Sequence, residues 1–202
     1  MIKFLYDKKM DQRCRRRVIS AGVIFGTKVS NSIRTNKKKF GKAKEKAKEF
    51  QKEFNLIEDT FREGIKKIFG MPFPKTMKVY VNTTPYSMDD YEKKCISISY
   101  ERNENFITSF IHEANHYMFR RKYQGVCERE GFNKKETEDI KEIITILNND
   151  FFQKIMKAPD EGWKKHKELR QKFQSMYRKS ENVDRAILNL LHLLKNDRNL
   201  IR

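Results

Sequence analysis

Among its 202 residues the chain has only 3 cysteines, 4 prolines, 8 glycines and 1 tryptophan. Cys14, Cys95 and Cys127 are odd in number and far apart, with no C-x-x-C, which excludes a disulfide framework and a thiolate zinc site and points to a reducing compartment. So little Pro and Gly beside 38% hydrophobic residues describes a folded, helix-rich protein and excludes a disordered one. No apolar run approaches the roughly 18 residues that a membrane-spanning helix needs. Arg15-Arg16-Arg17 followed by V-I-S-A-G-V-I-F-G has the order of a signal peptide. The stretch before the apolar run is long, however, and no A-x-A-like cleavage site follows before Lys28, so a cytoplasmic location is expected.

Acidic residues are scarce at one end. The first 50 residues hold 16 Lys/Arg against 4 Asp/Glu, a net of +12 out of +18 for the whole chain. A basic N-terminal extension, 1–36, ahead of a more balanced body is expected to attract nucleic acid or another anionic surface through residues 1–50. A solvated lysine face is the plainer alternative.

Between Phe40 and Ile68 apolar residues step by three and four, which predicts one long amphipathic helix, stopped by Gly70 and the prolines at 72 and 74. M-K-V-Y-V-N, from Met77, and C-I-S-I-S-Y, from Cys95, alternate over β-branched and aromatic residues and read as two strands. Asn103 or Asn105 can cap the next helix, F-I-T-S-F-I-H-E-A-N-H-Y-M-F. Asn133 with Glu136 three residues on forms an Asn variant of the capping box, opening a helix that continues through Ile140, Ile143, Ile144, Leu147 and Phe151. After Pro159 come two more amphipathic helices, broken near Ser180 and Asn182. The expected fold is α+β, mostly helical, with a small sheet packed against the helix that carries His112. Residues 37–202 are expected to form a single domain with its core at 77–157 and a helical cap at 158–202. Trp163 is expected as a core anchor, and His192, among leucines, as a satisfied core or interface histidine.

His112, Glu113 and His116 stand in the spacing H-E-x-x-H. With 4 His and 17 Glu in the chain, this pattern is expected by accident ~0.007 times. Residues four apart share a helix face, so His112 and His116 can offer two imidazoles to one zinc ion. Glu113 projects beside them and can take a proton from a water on the metal, the chemistry of peptide hydrolysis. Two histidines need a third protein ligand, and the carboxylates downstream are Glu128, Glu130, Glu136, Glu138, Asp139 and Glu142.

At this point the chain resembles the gluzincins, the thermolysin-like zinc metallopeptidases. A second helix there carries a glutamate with an acid four residues on and apolar residues around it. Glu138 matches, with Ile140, Glu142, Ile143, Ile144 and Leu147 in register. The resemblance covers roughly residues 77–157 and looks most like the minimal members. It implies a zincin-like fold, one zinc per chain held by His112, His116 and Glu138, Glu113 as general base, and a peptide or protein substrate. Glu142 would brace a ligand histidine. Glu142 and Glu136 stay open as alternative third ligands, although the capping box already accounts for Glu136. The resemblance further implies that C-I-S-I-S-Y is an edge strand along which substrate pairs, and that a Tyr or His after the glutamate helix, His166 or Tyr177 by order, supports the oxyanion. The chain departs from thermolysin in lacking a calcium-loop pattern and a large N-terminal β domain. The competing reading is a non-catalytic scaffold of the same shape that holds an anionic partner. The intact Glu113 weighs against it, because a scaffold freed from catalysis has no physical need for that carboxylate.

Overall fold

Apolar side chains at alternate positions build β1 (Ile2–Leu5) and most of β2 (Met77–Asn82), which join β3 (Met88–Asp90) and β4 (Cys95–Ser99) in one mixed sheet. The structure, a computed structural model, describes residues 1–24, 37–102 and 105–201. Asn103, one of the two expected caps, and the Phe25–Gly26 end of the apolar run lie outside the described residues. The helices are α1 (Lys8–Ile24), α2 (Lys37–Asn55), α3 (Glu58–Phe69), α4 (Phe106–Arg129), α5 (Lys134–Ile144), α6 (Leu147–Phe151), α7 (Lys167–Ser180) and α8 (Val183–Asn196). The fold is α+β, as expected. No helix among the described residues is long and apolar enough to cross a membrane.

Two compact units divide the chain. The first comprises Met1–Glu58 and Pro74–Ala114. Its sheet runs β1-β2-β4-β3, with β1, β2 and β4 parallel and β3 antiparallel to β4. The start of the chain, expected as part of a basic extension, is built into this unit: β1 pairs with β2, and Ile2 and Phe4 are buried. Part of the basic charge is also engaged internally. Arg15 is buried against Asp11 at 3.1 Å, and Arg13 and Arg17 meet Asp90 at 2.9 and 3.5 Å. Asp11 in turn accepts from the Thr83 N–H at 2.6 Å, tying α1 to the end of β2.

Phe4 packs against Phe54 and Phe110, ring centroids 5.4 Å apart in each pair, while Phe50 stacks on Phe106 at 4.1 Å. These rings seat the first turns of α4 beside the sheet, and such pairs add about 0.5–1.5 kcal/mol each beyond area burial. Both outer strands carry side chains on their backbone groups. Gln51 of α2 accepts from the Phe4 N–H at 2.9 Å and donates to the Ile2 carbonyl at 3.2 Å, and Arg17 donates to the Asp89 carbonyl at 3.1 Å. The expectation that C-I-S-I-S-Y forms an edge strand is corrected here. β4 lies between β2 and β3 with all five residues buried, because Met88–Asp90 folds back against Cys95–Ser97.

The expected long helix is two. α2 ends at Asn55 and α3 starts at Glu58, with Leu56 86% exposed between them. The N–H groups of Leu56 and Ile57 bond carbonyls only three residues back, which tightens the turn and ends the α-helical ladder there. The apolar stripe keeps its step through the break, so periodicity alone does not mark it.

The second unit comprises Asp59–Phe73 and Asn115–Arg202. Phe61, Phe69, Phe119, Phe152 and Phe173 form much of its core. α3 comes so close to Phe152 that a Cβ on Gly64 would lie 2.2 Å from the ring. Gly70, with φ of 65°, terminates α3 as expected. The Asn133–Glu136 capping box is present in both directions, at 3.0 and 2.8 Å, and the Asn182 side chain caps α8. The helix expected to run on through Phe151 breaks after Ile144. There the Thr145 hydroxyl donates to the Glu142 carbonyl at 2.8 Å and α6 begins anew at Leu147.

Two other expectations are overturned. Trp163 is 62% exposed, because it lies in extended backbone ahead of the 3-10 turn Lys164–His166 and the buried face of α7 is carried by Leu169, Arg170 and Phe173. His192 is exposed, which removes it from the core, and its Nε2 lies 3.1 Å from the Asn196 amide. The buried face of α8 is carried by Ile187, Leu190, Leu191 and Leu194.

Candidate metal centre

α4 holds the motif. Its 24 residues contain no proline, and Asn105 accepts the first helical hydrogen bond from the Ser109 N–H. Phe110, Ile111, Ala114, Tyr117 and Met118, which flank or interleave His112–His116 in sequence, are all buried. The pitch brings His112, Glu113 and His116 together. Their ligand atoms lie within 4.8 Å of one another, and this group can hold a metal ion. His116 and Glu113 are buried and His112 is half-buried. Burying a carboxylate and an imidazole side by side in an apolar wall is costly unless each has a charged or polar partner.

Within the second unit an acid stands beside His116. Nε2 of His116 lies 3.4 Å from Oε1 of Glu142 on α5, whose side chain is 16% exposed. Two ligand atoms about 2.1 Å from one ion at a tetrahedral angle stand about 3.4 Å apart, a separation that an acid paired directly with an imidazole shares. Lys141 Nζ lies 3.8 Å from the same oxygen.

Glu138, the third ligand that the resemblance implies, is held by two cations. Its oxygens meet Arg120 Nη1 at 2.7 Å and Lys141 Nζ at 2.8 Å. Burial raises the carboxyl's pKa, but Lys141 and Arg120 outweigh it and hold Glu138 below the usual carboxylate range. Glu136 serves the capping box and meets Arg198 at 3.2 Å.

His166 is buried, with Nε2 2.8 Å from Asp139 Oδ1, which also accepts from Lys165 at 2.6 Å. Burial raises the Asp139 carboxyl, and the bonds from His166 and Lys165 overcome it and draw its pKa down. Tyr177 is half-buried against Phe151, ring centroids 5.7 Å apart.

The sequence reading passed over Asn148, Asp160 and Arg170, which lie buried in the same unit. A sequence mark was available: N-N-D at 148–150 interrupts the apolar face of an otherwise regular helix, and P-D-E-G at 159–162 is turn chemistry.

No family model, no curated protein and no solved structure matches the chain.

Proposed function

We propose that the chain is a zinc-dependent metallopeptidase in which His112 and His116 of α4 and Glu142 of α5 hold the ion and Glu113 is the general base. The observation that carries the reading is the approach of Glu142 to His116 at 3.4 Å beside a His112–Glu113–His116 group whose ligand atoms lie within 4.8 Å. Two imidazoles and one carboxylate suit zinc and leave a fourth position for water.

When bound, zinc supplies Lewis acidity, which polarises a substrate carbonyl and lowers the pKa of water. The chain's own groups do the rest. His112 and His116, one helical turn apart, would hold the ion against the helix that carries them. Glu113 accepts the proton of the attacking water and delivers it to the leaving amine, a contribution worth about 10²–10⁴-fold in rate. Burial of Glu113 and His116 lowers the local dielectric around their charges and strengthens their interactions.

The scaffold reading draws on the basic residues 1–50. Arg13, Arg15 and Arg17 are already matched by Asp11 and Asp90, which reduces the field that this segment offers an anionic partner.

The test is the metal content of the full chain, purified without a histidine tag, by plasma mass spectrometry beside His116→Ala. About one zinc per chain, lost in the variant, supports the reading. Hydrolysis of an unfolded protein such as casein, abolished by a chelator and restored by zinc, extends it to catalysis. Failure to take up zinc when it is added back would overturn it.

A further inference from the structure

A connected line of buried polar side chains runs through the second unit. Asn115, Thr145, Asn148, Asp160 and Arg170 are each 5% exposed or less. Nδ2 of Asn115 donates to Oδ1 of Asn148 at 3.0 Å, and Nδ2 of Asn148 donates to Oδ2 of Asp160 at 2.9 Å. Arg170 closes the line. Nη2 donates to the Asp160 carbonyl at 2.6 Å, and Nη1 donates to the Glu142 carbonyl at 2.9 Å and to the Thr145 hydroxyl.

The two ends matter. Asn115 immediately precedes His116 in α4, and the Glu142 carbonyl belongs to the residue whose carboxylate stands 3.4 Å from His116. A charged and amide-rich line inside a core brings little net stability compared with well-packed apolar side chains, but its directional bonds favour one arrangement of the elements that carry it. The surrounding backbone is shaped to admit it. Gly162 has φ of 61°, and a Cβ there would lie 2.4 Å from Arg170 Nη1. The Gly162 N–H also donates to Asp160 Oδ1 at 3.1 Å, which orients the carboxylate at the centre of the line.

We propose that Asn115, Asn148, Asp160 and Arg170 are positioning residues that hold α5 against α4 so that Glu142 and His116 stay at co-ligand distance, and that they thereby set the metal affinity of the centre. The inference rests on the metal reading above. Outer-shell partners of metal ligands change affinity by roughly 10–100-fold when removed, and this line acts one step further along, through the main chain of Glu142 and the helix of His116.

The experiment is zinc titration of the full chain against a chromophoric chelator for wild type, Asn148→Ala and Arg170→Lys, with thermal melting of each metal-free form. Ile187→Val, a buried change of α8 outside the line, is the control for loss of stability alone. The expected result is zinc affinity weakened roughly 10–100-fold in both line variants while the folded fraction at the assay temperature stays near one, and unchanged affinity in the control. Where Asn148→Ala melts too low to titrate, Asn115→Ala, which removes only the last bond of the line, is read in its place. Folded line variants that bind zinc as wild type does overturn this inference and leave the metal reading standing. Wild type that binds no zinc overturns both.

Discussion

Tyr123 donates its hydroxyl to Asp184 Oδ1 at 2.6 Å, joining the second half of α4 to the first turn of α8. Lys122 Nζ meets the same oxygen at 2.6 Å. Burial raises the Asp184 carboxyl, but Lys122 and Tyr123 outweigh it, so its pKa lies below the ordinary value. Burial, followed by Asp184, drives the Tyr123 phenol upward. A carboxylate with a depressed folded pKa contributes stability in full above its unfolded value, about 3.9, and loses it as pH falls through the folded one. Because the Asp184 side chain is 59% exposed, solvent screens the pair, and Tyr123→Phe is expected to cost about 0.5–1 kcal/mol at neutral pH, with the gap from wild type closing below about pH 4. Urea denaturation at stepped pH reads this directly, and a gap that stays constant into acid contradicts the assignment.

Glu113→Gln separates binding from chemistry. The amide keeps the size of the side chain and leaves both histidines in place, so zinc content is expected to match wild type. Hydrolysis of casein is expected to fall by about 10²–10⁴-fold because the proton acceptor is gone. Undiminished hydrolysis would remove Glu113 from the role assigned to it.

Glu142→Gln and Glu138→Gln decide the third ligand. Glu142→Gln is expected to weaken zinc by more than the roughly 100-fold that outer-shell changes produce, since a charged ligand is lost. In Glu138→Gln the ion pairs to Arg120 and Lys141 go, while zinc affinity stays within a few-fold of wild type. The reverse ranking in a chelator titration would return the role to Glu138.

Gly64→Ala tests the packing of the second unit. In an exposed helix this change stabilises by about 1 kcal/mol. Here the new methyl would sit 2.2 Å from the Phe152 ring, and overpacking of that kind costs about 1–3 kcal/mol. The steric cost is expected to win, giving a lower melting temperature; a raised one would mean that Phe152 swings aside without loss.

Features set by neighbours in sequence were legible and those set by distant partners were not. The capping box at Asn133 and Glu136, the stop at Gly70 and the break between Ser180 and Val183 each depend on a few adjacent residues, and each stands where its residues predict. β1 escaped notice because four residues in a basic context carry little pattern, and its partner strand lies some seventy positions away. β3, only three residues long, hid the interior position of β4 in the same way. At the candidate centre, periodicity identified the face of α5, since Glu138 and Glu142 stand one turn apart on it. Which of the two turns to His116 depends on Arg120 and Lys141, whose reach no spacing rule records. Trp163 was misread because bulk and apolarity favour burial only where a packed face is near.

The side chain of Gln51 presents to β1 the same pair of groups that a peptide bond would. In effect α2 lends the sheet one residue of a fifth strand, so two groups on that side of the sheet are already taken. A second chain attempting to lengthen the sheet there must first break two bonds that fold back from a helix, a barrier to fibril-like growth written in a single glutamine.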